Sequence, residues 1–383
     1  MLLLALSLAA SACSTTGVLH RRLLTLDSHL DTPMYFGVDG WDFAERHRRE
    51  DDGSQVDIPR MIEGGLDGGF FATFIPQGPL TDEGRAAARA AAHARLDEIH
   101  AMVARHRDLA EIALTAADAR RIAAAGKRVV FLSMENGYPV GNRPELLSEF
   151  HARGVRMAGP VHFRNNDLGT SSTDALRPEE PGLTAAGRAW VREANRLGIL
   201  IDASHASDAV LDELLELSSR PIVLSHSGAR AVFDHPRNVD DERLRLIAAH
   251  GGVIQVPAYP DYLLERPASP ERNAEIARLR QQFGMPRTLA GRRELTRALA
   301  EVDRRWPVPQ PTYEHFVAHL LHVIQVAGVQ HTGIGIDFDG GGVTGFEDAT
   351  AYPRITATLR QAGLSDRDIA AVWSGNLLRI LGD

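Results

Sequence analysis

The chain has 383 residues, of which 44% are hydrophobic and 24% charged, and its formal net charge is -8 at pH 7. This length allows one large or two medium α/β domains with a substantial core. The negative charge and the lack of a basic stripe with interleaved aromatic residues argue against nucleic acid as a partner. A single cysteine, Cys13, excludes an internal disulfide and a thiolate metal cluster.

Residues 1–19 have the pattern of a bacterial lipoprotein signal followed by a tether. An apolar run precedes the small residues Ser11 and Ala12, and Cys13 follows them as the residue that would be lipidated. The run is too short to span a bilayer as a helix. We therefore expect a mature domain over residues 20–383 in the bacterial cell envelope or periplasm. The alternative, a start codon further along the chain, would leave the protein in the cytoplasm.

Short apolar runs alternate with helical patterns along the rest of the chain. The predicted strands are residues 23–27, 69–75, 129–134, 155–161, 199–201, 222–224, 253–256 and 332–336. Parallel strands joined by helices place their carboxyl ends on one face of the sheet. The pattern predicts a single (β/α)8 TIM-type barrel. The proline-rich segment 258–312 interrupts the alternation and predicts an insertion after the seventh strand.

Most of the predicted strands end in a histidine or an acidic residue. In chain order these residues are His29, Asp31, Glu135, His162, His205, His226 and Asp337. Taken singly, each could be a buried core histidine or the cap of the next helix. The carboxyl rim of a barrel, however, is where active sites are built. Their coincidence at one rim therefore predicts a shared site.

The residue types at this rim suit a divalent metal. Imidazole and carboxylate ligands without thiols favour zinc, with manganese, cobalt or iron as substitutes. Three histidines, one aspartate and one glutamate are too many for one tetrahedral ion, and they fit two ions if a carboxylate bridges them. Glu135 is the natural bridge, because its strand lies between the first strand and the strands that end in His205 and His226. A carbamylated lysine cannot replace it, because the only lysine, Lys127, precedes the third strand.

Several separate segments of the chain resemble the membrane (renal-type) dipeptidases, a branch of the metal-dependent amidohydrolase superfamily. The segments lie between His20 and Leu381 and read LDSHLDTP, SMENG, GVRMAGPVHFRNND, GLTAAGR, GILIDASHAS, PIVLSHSGAR, HPRNVDDE, GIGIDFDGG and GNLLRI. Two positions depart from the family pattern. Asn136 stands where glycine is usual, and Ile336 replaces a small residue.

The resemblance implies a site with two zinc ions bridged by Glu135, in which manganese or cobalt could substitute. The implied ligands are His29, Asp31 and Glu135 at one ion, and Glu135, His205 and His226 at the other. His162 would contact the scissile carbonyl oxygen, and Arg237 would bind the free carboxylate of the substrate. Asp337 would take the proton from the attacking water and pass it to the leaving amine.

The implied reaction is hydrolysis of a small dipeptide, L-Xaa-L-Xaa or L-Xaa-D-Xaa, by hydroxide held between the ions. Tyr259, at the start of the insertion, is expected to contact the substrate. Two alternatives stay open. One is a metal-dependent hydrolase of another amide, such as an N-acyl amino acid or a β-lactam, and the other is a catalytically silent lipoprotein that binds peptides. The family tendency is a homodimer, and membrane contact is expected only through a lipid at Cys13.

Overall fold

The computed structural model describes residues 16–174, 182–267 and 269–383. Cys13, the residue predicted to carry a lipid, lies outside these ranges. Within them, no helix combines the length and the apolar character needed to cross a membrane.

A ring of parallel strands occupies the centre of the molecule. The strands found in the described ranges are β1 (Leu26–Leu30), β2 (Gly68–Phe74), β3 (Ala110–Ile112), β4 (Arg128–Glu135), β5 (Val155–Ala158), β6 (Leu200–Ile201), β7 (Val223–Leu224), β8 (Val253–Val256) and β9 (Thr332–Ile334). They form one sheet in the order β1-β2-β4-β5-β6, with β3 on β4, and a second sheet in the order β7-β8-β9. Single parallel bridges, Asp202 to Val223 and Leu30 to Phe338, join the two sheets at both sides. The sheet therefore curls into a barrel of the predicted TIM type.

Two strand assignments differ from the sequence prediction. β1 begins and ends three residues later than expected, so that His29 lies within the strand and not after it, because Leu26 and Asp27 pair with the first residues of β2. β3 was not predicted, since three residues carry too little alternation to reveal a strand. It pairs with Arg128 to Val130, on the edge of β4 that β5 takes further along, and so stands outside the ring of eight.

Helices connect the strands. Their bounds are α1 (Pro33–Phe36), α2 (Arg49–Asp52), α3 (Ile58–Glu63), α4 (Asp82–Arg105), α5 (Ala116–Ala124), α6 (Leu147–Ala152), α7 (Ala185–Leu197), α8 (Asp208–Leu217), α9 (Asp241–Ala249), α10 (Pro270–Phe283), α11 (Leu289–Arg305), α12 (Tyr313–Ala327), α13 (Pro353–Gln361), α14 (Asp366–Ala370) and α15 (Asn376–Leu381). A π-helical turn, Ala371–Gly375, joins the last two. Hydroxyl caps begin several of them: Thr81 accepts from the Gly84 amide and Ser207 from the Val210 amide.

Helices α10 and α11 form the predicted insertion after the seventh strand of the ring. They pack on each other, and α11 packs on the segment that follows β1. Arg292 donates to the Met34 carbonyl at 2.7 Å, and its guanidinium lies 4.4 Å from the centre of the Tyr35 ring. The Leu289 amide donates to the Asp39 carbonyl at 2.8 Å. The insertion therefore holds the first barrel loop in place.

Strand β4 positions the centre of the rim. All eight of its residues are buried, as expected for a strand covered on both faces in a parallel sheet. Its last residue, Glu135, pairs in register with Phe74 at the end of β2. The carboxylate of Glu135 is thus delivered to the middle of the carboxyl face.

Candidate metal centre

The carboxyl face of the barrel gathers all the strand-end residues singled out in the sequence around Glu135. Oε1 of Glu135 lies 3.0 Å from Nε2 of His205 and 3.5 Å from Nε2 of His226. The same oxygen lies 3.5 Å from Nε2 of His162 and 3.7 Å from Nε2 of His29. All five side chains are buried. Glu135 is thus the shared neighbour of four imidazoles, where the sequence predicted a bridging carboxylate.

Asp31 and Asp337 complete the cluster on the side of His29. Nε2 of His29 lies 3.9 Å from Oδ1 of Asp31 and 4.0 Å from Oδ1 of Asp337. Both carboxylates flank Gly340, where a Cβ atom would stand 2.7 Å from Oδ1 of Asp337 and 2.8 Å from Oδ2 of Asp31. Only glycine fits at this position without displacing an acidic side chain.

Three sets of side chains could each hold a metal ion. Their ligand atoms lie within 4.8 Å of one another, and the sets are His29 with Glu135 and His226, Glu135 with His162 and His205, and His29 with Asp31 and Asp337. The sets do not separate into the two ligand groups implied by the family resemblance, since the rings of His29 and His226 are only 3.9 Å apart, centre to centre. The cluster nevertheless has enough donors for more than one ion.

Burial sets the protonation of the cluster. It lowers the pKa of His29 to about 3 and the pKa values of His162, His205 and His226 well below 6.5, and the positive charge of Arg237 adds to the effect. Neutral imidazole is the form that binds metal. Two of the buried imidazole nitrogens, Nδ1 of His29 and of His205, have no hydrogen-bond partner among the described residues.

The carboxyl groups are shifted in the opposite direction. Burial raises the pKa of Asp31 to about 7 and the pKa values of Glu135 and Asp337 well above the ordinary carboxyl range, and the charges of neighbouring carboxylates add to this. A divalent cation in such a buried site would neutralise the ionised carboxylates and accept the lone pairs of the neutral imidazoles. The residues present therefore fit divalent metal.

A hydrogen-bond relay orients His226. Oγ of Ser225 donates to Oδ2 of Asp202 at 2.6 Å and lies 2.7 Å from Nδ1 of His226. Because the serine proton goes to the aspartate, Nδ1 of His226 must carry the proton and Nε2 presents its lone pair to the cluster. Sequence reasoning missed this relay. Its signal was the serine beside each histidine in DASHAS and LSHS.

A second carboxylate ties the two ends of the barrel together behind the site. Asp27 accepts from the His29 amide at 2.9 Å and from the Ile336 amide at 3.1 Å, and the Tyr352 hydroxyl donates to it at 2.5 Å. The bonds link β1, which carries His29, to the segment after β9 that carries Asp337. The side chain of Ile336 is fully buried behind the site and removes none of these contacts.

The other departure from the family pattern has a conformational reason. Asn136 adopts φ 78°, in the left-handed region that favours glycine, and asparagine is among the residues that tolerate it. Its Oδ1 accepts from the Tyr138 amide and from Nδ2 of Asn166, both at 3.1 Å. The substitution for glycine therefore preserves the turn and adds hydrogen bonds below Glu135.

A cavity of about 170 Å3 opens over the cluster. Besides cluster residues, its walls consist of Met34, Phe74, Phe163, Tyr259, Tyr262 and Gly340. Tyr259, which the sequence predicted to contact the substrate, is one of these wall residues. Phe163 is 44% exposed at the mouth and its ring packs 4.0 Å from that of His162. Sequence reasoning missed the apolar wall residues, because apolar residues after a strand carry no chemical signal.

Arg237 does not line this cavity. It is 1% exposed, and it donates to the carbonyls of Ser204 and His226 and to Oγ of Ser227. Its guanidinium lies 4.8 Å from the centre of the Tyr262 ring, which does line the cavity. Arg237 is therefore buried behind the cavity wall to which Tyr262 belongs, and its charge already acts on the four histidines.

Comparison with known proteins relates nearly the whole chain to dipeptidases. A family model for membrane dipeptidases, peptidase family M19, matches residues 15–383. The crystal structure of the probable dipeptidase PvdM from Pseudomonas aeruginosa is 32% identical with a TM-score of 0.82, covering 97% of this chain and 98% of that one. A metallopeptidase from Rhodobacter sphaeroides, solved with a phosphinate mimic of the dipeptide L-Ala-D-Ala, is 26% identical with a TM-score of 0.71 over 94% and 98% of the chains. Dipeptidase tcpJ of Claviceps purpurea is 29% identical over 332 residues, 85% of this chain and 68% of tcpJ.

Proposed function

The chain belongs to the membrane dipeptidase family, peptidase family M19, and is a metallo-dipeptidase; from this premise we propose that it cleaves L-Xaa-L-Xaa and L-Xaa-D-Xaa dipeptides with two zinc ions. The proposed ligands are His29, Asp31, Glu135, His205 and His226. The convergence of four imidazole nitrogens on one carboxylate oxygen of Glu135 carries the proposal. Divalent ions bound there would acidify a water molecule and polarise the peptide carbonyl.

His162 has the properties of a hydrogen-bond donor to the carbonyl oxygen. It lines the cavity, and its depressed pKa keeps the imidazole neutral, so that one ring nitrogen carries a proton to donate. The rings of Phe74 and His205 pack 4.8 Å and 4.1 Å from its centre and fix its orientation. A fixed donor stabilises developing negative charge better than a mobile one.

Asp337 is the group best placed to carry the proton. It lines the cavity, and burial followed by the charge of Asp31 raises its pKa. A carboxyl group with a raised pKa can accept a proton from water and return it to an amine near neutral pH. We assign it both steps of the transfer.

Arg237 is the proposed partner of the substrate carboxylate. Nε of Arg237 has no hydrogen-bond partner among the described residues, and so one donor of this buried guanidinium is free. Displacement of the Tyr262 ring by substrate would bring the two charges together. An arginine held at a fixed distance from the reacting carbonyl would favour two-residue substrates over longer chains.

The cavity supports a small substrate. Its volume of about 170 Å3 and its aromatic walls suit the backbone and small side chains of a dipeptide. The Rhodobacter sphaeroides relative was solved with a phosphinate mimic of L-Ala-D-Ala, which makes both configurations of the second residue worth testing.

A substrate panel tests the proposed reaction. The zinc-loaded protein should hydrolyse L-Ala-L-Ala or L-Ala-D-Ala and leave L-Ala-L-Ala-L-Ala, N-acetyl-L-alanine and a β-lactam intact. Cleavage of the N-acyl or lactam compounds with no cleavage of either dipeptide would refute the dipeptide assignment. Metal-dependent binding of dipeptides without turnover would instead favour a silent peptide-binding protein.

We also propose a lipid anchor at Cys13, an envelope location and a homodimer. These rest on the pattern of the first 19 residues and on the family tendency. Fatty-acid labelling of the expressed protein should disappear in Cys13→Ala, and sedimentation of the soluble domain should give twice the chain mass. Unlabelled wild-type protein or a monomer would contradict the respective assignment.

A further inference from the structure

A second and larger cavity, of about 510 Å3, adjoins the catalytic cavity. Gly340 lines both cavities. The partition between them is thin, since a Cβ atom on Gly341 would stand only 3.1 Å from Cα of Tyr259. Tyr259 faces the catalytic side, and its neighbour Pro260 lines the second cavity. The two cavities are therefore neighbours that share a backbone wall at Gly340, and a side-chain extension of a substrate would have to pass over this wall to enter the second one.

The charged side chains that line the second cavity are three arginines, Arg49, Arg266 and Arg272, and two acids, Asp303 and Glu347. Arg272 pairs with Asp303 at 2.6 Å, and Asp303 is also part of the lining. Arg266 pairs at 2.7 Å with Asp261, and Asp261 does not line the cavity.

The arginines keep unused donors. Arg49 is exposed, and its acidic neighbours Glu50 and Asp51 pair with Arg48 rather than with it. The Nε atoms of Arg266 and Arg272 are buried and find no hydrogen-bond acceptor in the described part of the chain. A buried guanidinium nitrogen without an acceptor is costly, and an anionic oxygen would satisfy it.

The catalytic cavity offers no such group. None of its lining residues is a lysine or an arginine, and its walls away from the metal ligands are aromatic or apolar. A second carboxylate on the substrate would therefore find no cationic side chain there. The two cavities therefore differ in the kind of substrate group that each can bind.

We propose that the arginine-lined cavity binds a carboxylate carried by a side chain or side-chain extension of the dipeptide, so that the enzyme prefers acidic substrates. The proposal rests on the dipeptidase activity proposed above. It gives Arg49, Arg266 and Arg272 a role in selecting the substrate and no role in the chemistry.

Matched acidic and neutral substrates test the preference. The pairs are L-Ala-L-Glu with L-Ala-L-Gln, L-Glu-L-Ala with L-Gln-L-Ala, and L-alanyl-Nε-succinyl-lysine with L-alanyl-Nε-acetyl-lysine. The third pair carries its carboxylate on a longer side chain than the other two. At least one pair should show kcat/KM higher for the acidic member by about three- to tenfold, the range expected for a charge-assisted hydrogen bond at a partly exposed site. Arg49→Gln combined with Arg266→Gln should bring that ratio close to one.

A control variant and a binding measurement complete the test. Arg278→Gln removes an exposed arginine from α10, the helix of Arg272, where it pairs with Glu275, and should leave the ratio unchanged. The same pairs are titrated calorimetrically into zinc-loaded Asp337→Asn, so that the binding ratio is obtained even if no dipeptide is cleaved. Absence of cleavage alone would count against the proposed function, whereas a ratio of one for every pair in wild-type protein, or a ratio that survives the double substitution, would overturn this site.

Discussion

Asp337 combines a strained backbone with a buried carboxyl group. Its φ of 68° lies in the left-handed region, which residues with a Cβ atom seldom occupy except asparagine and aspartate. Such conformations persist where the surrounding structure holds them and are concentrated at functional sites. Here the amides of Gly340 and Gly341 donate to the Asp337 carbonyl and close a tight turn. The turn aims the carboxyl group at His29 and Asp31.

Asp337→Asn should keep its bound metal and lower kcat by about 10²- to 10⁴-fold, because the amide cannot carry the proton. Asparagine tolerates the same φ, so that the substitution adds no backbone strain. Elemental analysis beside steady-state kinetics measures both effects. Wild-type kcat in a variant that retains its metals would remove Asp337 from the proton path.

Gly340→Ala should lower kcat/KM by about ten- to a hundredfold, since displacement of a reacting group by roughly 1 Å has effects of this size. The added Cβ would meet Oδ1 of Asp337 at 2.7 Å and Oδ2 of Asp31 at 2.8 Å. Gly17→Ala is the control, because its Cβ would meet only Arg21 at 3.8 Å. Equal kinetics for the two variants would show that the acidic pair tolerates displacement.

At the scale of elements, β6 and β7 are held together by the groups that also orient the ligands. The Ser225 amide donates to Oδ1 of Asp202, and the Ser204 hydroxyl donates to the same oxygen at 2.6 Å. The His226 amide donates to Oγ of Ser204 at 3.0 Å. Side-chain hydrogen bonds thus hold the two short strands together. The same hydrogen bonds fix the positions of His205 and His226.

Ser225→Ala should weaken zinc binding by about ten- to a hundredfold, the usual cost of losing the partner of a ligating histidine. Competition with a chromogenic chelator measures the affinity. Ser133→Ala is the matched control, since this serine on β4 is also buried but its hydroxyl has no hydrogen-bond partner in the described residues. Unchanged affinity in Ser225→Ala would mean that the relay does not set the tautomer of His226.

Helix α12 supports the loop after His226 through a buried histidine. Nδ1 of His319 accepts from the Ala229 amide at 2.9 Å, and His319 is fully buried. Burial, followed by the charges of His322 and His315, lowers its pKa to about 4 from the ordinary 6.5. A lowered histidine pKa gives stability that is fully present above pH 6.5 and is lost as the pH falls towards 4.

His319→Asn should therefore remove part of the acid sensitivity of the fold, because Oδ1 of asparagine can accept the Ala229 amide without titrating. Between pH 7.5 and 4.5, the free energy of unfolding of wild type should fall by on the order of 2 kcal/mol more than that of the variant. Chemical denaturation at both pH values with zinc in excess measures the difference. The variant His93→Asn, on α4, serves as control, and identical losses in all three proteins would contradict the assignment.

At the scale of the whole molecule, periodicity and spacing predicted the barrel and the residues that cluster on its rim. Strand ends that carry histidine and acidic residues converge in any parallel barrel, so that Glu135 and its neighbours could be found without coordinates. The burial of Arg237 could not be predicted, because it depends on how the ring of Tyr262 packs in the folded protein. The second cavity could not be predicted either, because Arg49 and Arg272 line one cavity only once the insertion packs near the first loop.

The central claim is that the rim cluster holds two metal ions and that dipeptide hydrolysis depends on both. We predict that chelated protein is inactive towards L-Ala-L-Ala and L-Ala-D-Ala, and that stepwise addition of zinc restores activity up to a break at two equivalents per chain. The most direct measurement is this titration, followed by hydrolysis rate and by elemental analysis of the same samples. Full activity in the chelated protein, or zinc uptake at two equivalents with no hydrolysis of either dipeptide, would contradict the account.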